Sequence, residues 1–356
     1  MTILTRATLN QWTSRVAEPD MQAAEAVRRA LLCKSKPPES LGLLEDMVIR
    51  LAAITGEHKP LIAKKDVVIM CGDHGVVAEG VSAFPQEVTG LMMSNFAVGG
   101  AAINVLSRQM GADVHVIDIG SKATELPPQV INRKVKAGTD NMAQGPAMSE
   151  AEAIQAILTG IEVAEQLVEA GSTLFALGEM GIGNTTPSAA LVSVLIQNNQ
   201  PTGIVGRGTG IDDQVLSHKE QVIARAIEVN QPNPDDALDT LAKVGGLEIA
   251  GLVGVIIGAA IHHRPVLLDG VIASAAGLVA VRLAPVLRHY LFATHLSVEP
   301  AHAVILREIG LQPCLHMNMR LGEGTGAVLA MPLLEAACRI LHEMATFSDL
   351  GLPDPV

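Results

Sequence analysis

The sequence predicts an α/β fold: a parallel sheet with helices on both faces. Three observations carry that expectation. Short β-branched runs alternate with helical patterns through the middle of the chain. The runs are almost continuously apolar, as strands buried on both sides must be. Thirty-three glycines are spread among abundant Ala, Val, Ile and Leu, which suits tight strand–helix turns. At 356 residues the chain is long for one domain and short for three, so one large core with an appendage is expected.

The elements follow in order. Residues 1–60 read as helical: "EPDMQAAEAVRRALLCKS" has apolar positions at helical spacing, the prolines at 37–38 stop it, and "ESLGLLEDMVIRLAAIT" resumes the pattern. Residues 61–326 carry five expected strands: "DVVIMC" (66–71), "DVHVIDIG" (113–120), "STLFALGEMG" (172–181), "RPVLLDG" (264–270) and "YLFATH" (290–295). Helical patterns at 149–170 and 215–230 lie between them. A last helical stretch, 327–347, lies in the terminal segment 327–356 and is placed to pack with the N-terminal helices. No internal repeat is present.

Composition excludes several classes. A net charge of −12 with 2% aromatic residues offers neither a basic stripe nor a stacking surface for nucleic acid, and it suits an anionic membrane surface poorly. Cys33, Cys71, Cys314 and Cys338 show no C-x-x-C spacing and read as buried free thiols of a reducing cytoplasm. The N-terminus lacks a basic-then-apolar leader pattern. The longest apolar run, 247–261, is shorter than the ~20 residues of a spanning helix. A soluble cytoplasmic protein is expected.

In open parallel sheets ligands bind beyond the carboxyl ends of the strands, so the strand-end loops are the places to search. "GEMGIGNTTPSAA" (178–190) is the richest. Gly181 and Gly183 permit close backbone approach, and Asn184, Thr185 and Thr186 stand where a helix begins. That suits either a phosphate or simple N-capping. It is neither a P-loop nor G-x-G-x-x-G. "GDHGV" pairs Asp73 with His74, but no ligand-spaced partner follows, so a polar turn that shapes the site is favoured over a metal. Asp269 ends a strand and suits orienting a substrate or capping the next helix. In "MRLGEGTGAVLAMP" (319–332), Glu323 lies between two glycines. Burial in an apolar pocket would raise its pKa toward a general base's range, whereas a bare turn would leave it solvated. Glu179 is a second strand-end acid that could share one cleft with it.

These residues stand in a set of blocks: "KPPESLGLLE" (36–45), "CGDHGV" (71–76), "HVIDIG" (115–120), "GPAMS" (145–149), "LFALGEMGIGNTTPSAA" (174–190), "NQPNP" (230–234), "KVGGLEIAGLVGV" (243–255), "PVLLDG" (265–270) and "HMNMRLGEGTGAVLAMP" (316–332). Together they resemble the nicotinate-nucleotide–dimethylbenzimidazole phosphoribosyltransferases, which activate the lower ligand of cobalamin, over nearly the whole chain. The resemblance implies a Rossmann-like sheet domain (61–326) with a small helical domain built from both chain ends (1–60 and 327–356). It also implies a dimer, homomeric or with a paralogous subunit, and no cofactor. It makes Glu323 the general base and Glu179 the acid that orients and stabilises charge. Gly181, Asn184, Thr185, Lys219 and Ser297 become the phosphoribosyl contacts; a plain surface lysine is the alternative for Lys219. Phe84, Met92 and Leu321 fall at the acceptor pocket.

Phe84 and Met92 depart from the family pattern, which usually has Ser and Gln there. The pocket becomes more apolar, and phenol or p-cresol joins or replaces 5,6-dimethylbenzimidazole as the expected acceptor. Two other classes are weighed. A non-catalytic partner subunit should have lost Glu323, which is present. A dinucleotide-binding oxidoreductase should show G-x-G-x-x-G after the first strand, which is absent.

Overall fold

A computed structural model describes residues 4–196, 200–208 and 210–353. Residues 1–3 and 354–356, the outer tips of the two expected helical segments, lie outside the described residues. The chain opens with α1 (Arg6–Thr13), α2 (Met21–Leu32) and α3 (Leu43–Thr55), and then enters the sheet with β1 (Lys65–Gly72). There follow α4 (Val88–Ala97), α5 (Ala102–Met110), β2 (Asp113–Gly120), β3 (Val130–Asn132), α6 (Glu150–Glu169), β4 (Leu174–Met180) and α7 (Thr185–Leu195). Next come α8 (Asp213–Asn230), α9 (Ala237–Val244), α10 (Leu247–Ile261), β5 (Val266–Leu268), α11 (Val271–Leu283), β6 (Leu291–Ala293), α12 (Pro300–Glu308) and α13 (Thr325–Glu343).

Among the described residues the strands form one sheet of order β3-β2-β1-β4-β5-β6, with every pair parallel. This is the expected α/β fold. The five anticipated strands are all present. Edge strand β3 is an addition to them, because three residues after a Pro-Pro turn are too few to show a period of two. The chain winds outward both ways from the seam between β1 and β4, and that reversal opens a crevice at their carboxyl ends. The register sets Met70 beside Glu179 and Cys71 beside Met180, so the loops after β1 and β4 leave the sheet together.

The two faces of β1 have different neighbours. Met70 packs against Gly251 of α10, and Val67 approaches Gly324 at the start of α13. Residues three apart on a strand point to opposite faces, so α10 and α13 cover opposite sides of the sheet. The apolar run 247–261 is thus α10, whose residues are buried from Leu247 to Ala260. It lies tightly on α6, where a Cβ at Gly160 or Gly254 would run into a backbone carbonyl of the other helix. Each fully buried Leu or Ile there contributes about 1.5–3 kcal/mol.

Helix α13 also packs on α2 and α3, which brings the two chain ends together. Its start at Thr325 precedes the expected position by two residues. Two segments, Val88–Met110 and Thr325–Glu343, have the length and composition of membrane-crossing helices, which the apolar-run criterion applied to the sequence does not pick out. The first is interrupted between α4 and α5. The second buries Val328, Met331 and Leu334 in the core.

Candidate active site

A cavity of about 490 Å³ opens at the carboxyl ends of β1, β4 and β5. It is lined by eleven of the residues singled out from the sequence: Glu179, Gly181, Gly183, Asn184, Thr185, Lys219, Ser297, Phe84, Met92, Leu321 and Glu323. Asp269 and Asp73 lie outside its lining.

Glu323 sits on the turn that leads into α13. Gly322, Glu323 and Gly324 all have left-handed backbone, with φ of 84°, 63° and 93°. For glycine this is free; for the glutamate it costs about 1–2 kcal/mol. Beneath it, Gly178 of β4 leaves room for the Glu323 carbonyl, which a Cβ would strike. The side chain is 6% exposed, so the solvated-turn alternative is overturned. Its Oε2 accepts from the Ile103 N–H, 3.2 Å away in the first turn of α5. Burial and then the charge of Asp269 raise the Glu323 pKa, against the opposing pull of that N–H.

Glu179, at the end of β4, is equally buried and accepts a hydrogen bond from the Asn184 amide. Burial, followed by the charges of Asp269, Glu248 and Glu323, pushes its pKa up to about 8, with Asn184 working the other way. Gly322 is small where Glu179 approaches it. Two carboxylates with raised pKa therefore face one cleft. Such groups can present negative charge to a cation or take up a proton at the cavity edge.

Asn184 is the N-cap of α7 and Thr185 its first residue. Lys219, on α8, is 1% exposed, so the surface-lysine alternative is also overturned. Its Nζ donates to Thr185 Oγ1 at 2.7 Å and to the Gly206 carbonyl at 3.3 Å. Burial brings its pKa down to about 8, with Glu299 opposing. Lysine, helix N-terminus and Gly181 face the same space. Gly181 has no room for a Cβ, because the Gly72 carbonyl fills it. A lysine beside a helix N-terminus is an arrangement that suits a phosphate.

Ser297 is held from behind by a histidine that sequence reasoning passed over. The Ser297 N–H donates to His302 Nδ1 at 2.9 Å, and His302 Nε2 lies 2.9 Å from Ser274 Oγ. Burial holds the His302 pKa down to about 3, so the ring is neutral with its proton on Nε2. Arg207, Glu299, Arg320 and His295 also line the cavity and were not singled out. Arg320 stands three residues before Glu323 in the "HMNMRLGEG" block, which is the signal that would have found it. Arg320 and Glu299 clasp the 206–208 segment: Arg320 donates to the Gly208 carbonyl at 2.7 Å, and Glu299 accepts the Gly208 N–H at 2.9 Å.

Two expectations need correction. Asp269 does not reach the cavity or cap the following helix α11. It is 1% exposed and accepts from the backbone of the α13 turn: Gly324 at 3.1 Å, Gly326 at 2.7 Å and Ala327 at 3.2 Å. Asp73 accepts the Lys122 N–H at 2.7 Å, and His74 pairs with Glu248 at 2.9 Å. These two residues brace the floor instead of lining it. Among the described residues no cluster of three His, Cys, Asp or Glu could hold a metal.

The far wall is different in kind. Val81, Val88, Met92 and Phe84 present apolar surface, with Ser82 as a hydroxyl among them. Phe84 is 51% exposed and Leu321 58%.

A doubly wound sheet with a buried lysine, a helix N-terminus and two buried acids around the cavity at its switch point has the layout of a nucleotide-handling group transferase. The comparisons give the class its name: a family model described as phosphoribosyltransferase matches residues 16–352, and the protein is an enzyme of the glycosyltransferase type. The chain belongs to the nicotinate-nucleotide–dimethylbenzimidazole phosphoribosyltransferase family. It is 52% identical to the protein of that name from Desulforamulus reducens, over 97% of this chain and 98% of that one. It is also 52% identical to the one from Chloroflexus aurantiacus, over 99% of both. The crystal structure of CobT from Thermus thermophilus superimposes with a TM-score of 0.89 at 46% identity, covering 93% of this chain and 99% of that one.

Proposed function

We propose that the protein transfers the 5-phosphoribosyl group of nicotinate mononucleotide to an aromatic base with inversion, giving an α-riboside 5′-phosphate for cobamide synthesis. The observation that carries this reading is Glu323, buried on a strained left-handed turn at the edge of a cavity whose other end suits a phosphate. In this reading the 5′-phosphate takes Lys219, Thr185 and the start of α7. Gly181, Asn184 and Ser297 hold the phosphoribosyl group. The pyridinium leaves as a neutral nitrogen base and needs no acid. Positive charge then builds on the ribosyl carbon, and Glu179 stabilises it. Glu323 takes the acceptor's proton as the ring attacks.

The relatives' names support 5,6-dimethylbenzimidazole as the acceptor. A second reading, that phenol or p-cresol is also accepted, is favoured by Phe84 and Met92 on the acceptor wall with Leu321 nearby. An apolar wall suits a ring with one polar atom, which Glu323 serves. We further propose a cytoplasmic dimer, homomeric or with a paralogous subunit, that works without a cofactor. Its small helical domain (1–60 and 327–356) sits beside a catalytic domain (61–326), a division supported by the packing of α13 on α2 and α3.

The test is an assay of the purified chain with nicotinate mononucleotide and dimethylbenzimidazole, with the product's anomeric configuration read by NMR. The α-riboside phosphate is expected. Glu323→Gln should fold and lose ~10²–10⁴-fold in kcat. Turnover within about threefold of the parent would remove Glu323 from the role of base.

A further inference from the structure

Asp269 is a buried acid beside Glu323 that the proposed reaction leaves without a task. Its environment is unusual. Both carboxylate oxygens accept from backbone N–H groups of one turn: Oδ2 from Gly324 at 3.1 Å, and Oδ1 from Gly326 at 2.7 Å and Ala327 at 3.2 Å. The donors flank Glu323 on its C-terminal side and include the free amides at the start of α13. A carboxylate there satisfies amides that the helix cannot, and it complements the helix dipole. The same turn holds three consecutive left-handed residues, one of them the glutamate. A strained glutamate persists only when its surroundings fix it.

We propose that Asp269 is the positioning residue of the Glu323 turn: from the end of β5 its two oxygens clamp the backbone on either side of Thr325, and so hold the left-handed Gly322–Glu323–Gly324 segment and the Glu323 carboxylate at the cavity edge. The inference rests on the reading of Glu323 as the base. Asp269 acts through that base and touches no substrate.

The neighbours are consistent with this role. His295, after β6, lies 3.6 Å from Asp269 Oδ1 through its Nδ1, with its ring against Gly326. Burial lowers the His295 pKa, so the ring brings no neutralising charge. Glu179 faces the pair from β4, with Glu248 of α10 acting on it in turn. Asp269 is thus one more negative charge beside Glu323 and raises its pKa. Removing that charge should lower it. Loss of Asp269 therefore has two signatures: a slower chemical step and an acid limb displaced to lower pH.

The experiment measures kcat, nucleotide KM and the pH dependence of kcat for Asp269→Asn, Gly324→Ala and Glu323→Gln. Asparagine keeps the shape but replaces one acceptor with an amide that cannot accept. For Asp269→Asn, kcat should fall about 10–100-fold with KM nearly unchanged and the acid limb moved down. Adding Asp269→Asn to Glu323→Gln should cost nothing further. A loss carried by KM would make Asp269 a substrate contact, and parental kcat with a parental pH profile would make it a structural cap; either result overturns the inference. Gly324→Ala keeps the charge but forces a side chain into φ 93°. It should lower kcat and leave the acid limb in place. If Asp269→Asn does not fold, Gly324→Ala decides: unchanged kcat overturns the clamp. Parental turnover in Glu323→Gln would end the reading of the base and this inference with it. A slow Glu323→Gln beside a parental Asp269→Asn would end this inference alone.

Discussion

The two ends of the cavity are built by opposite rules. The end around β4 and α7 is closed and charged: Glu179 is 6% exposed, Asn184 7% and Lys219 1%, each fixed by a hydrogen bond to a neighbour. The opposite wall is open and apolar, with Phe84 and Leu321 more than half exposed. Burying a lysine and two acids together is costly unless a ligand of complementary charge arrives. In the proposed reaction that ligand is the pyridinium mononucleotide, an anionic phosphate with a cationic ring beside it. The open wall commits to little beyond a flat ring. Experiments that strike the two ends separately test whether that division is real.

After loss of Glu323 itself, the largest expected effect is from Glu179→Gln at the closed end. Its charge matters most once the glycosidic bond has stretched, so kcat should fall about 10²–10³-fold while nucleotide KM moves little. If KM rose and kcat held, Glu179 would be a ground-state contact, and the closed end would be a binding pocket only.

Lys219→Met comes next, and it separates function from stability. Loss of a charge-assisted phosphate contact should raise nucleotide KM about 10–100-fold, with a smaller change in kcat. The folded chain, however, holds this lysine's pKa down to about 8, below its ordinary value. Below that pH the lysine is charged in both states, and its burial destabilises the fold in full. As pH rises from about 8 to 10.5 the folded lysine neutralises first, the unfolded chain holds more protons, and the penalty fades. Lys219→Met should therefore raise Tm by roughly 2–4 °C at pH 7, with a smaller gain at pH 9.5. A Tm that falls would mean that the lysine's contacts to Thr185 and Gly206 outweigh its buried charge.

The two ends also differ in how far the sequence reveals them. Five of the six strands were legible because parallel-sheet strands are almost continuously apolar, and the cleft followed from where those strands end. Glu323 was legible through its flanking glycines. Its burial was not, because the partner that covers it, Ile103, lies 220 residues earlier. Lys219 sits in "SHKEQVIARAI", a locally polar helix pattern, and only the tertiary approach of Thr185 explains its burial. Asp269 was visible as a strand-end acid but was assigned to the wrong neighbours. The turn it holds joins the sheet 55 residues later in the chain, and no local pattern encodes that. Local chemistry thus marked which residues mattered, while long-range packing decided what each one does.

The smallest expected effect concerns the open wall, where Phe84→Ser and Met92→Gln are introduced together. A new hydrogen bond contributes about 0.5–1.5 kcal/mol net, so kcat/KM for dimethylbenzimidazole relative to p-cresol should rise about three- to tenfold per contact made. Phe84 should yield the lesser share, because at 51% exposure a serine there competes with water. Ser82 already offers a hydroxyl on the same wall, its Oγ accepting the Phe84 N–H at 3.3 Å. Nucleotide KM should stay at the parental value, since neither side chain belongs to the closed end. A rise in that KM would show that the two ends are coupled. An unchanged acceptor ratio would show that the ring does not touch these residues, and the case for phenolic acceptors would lose its physical basis.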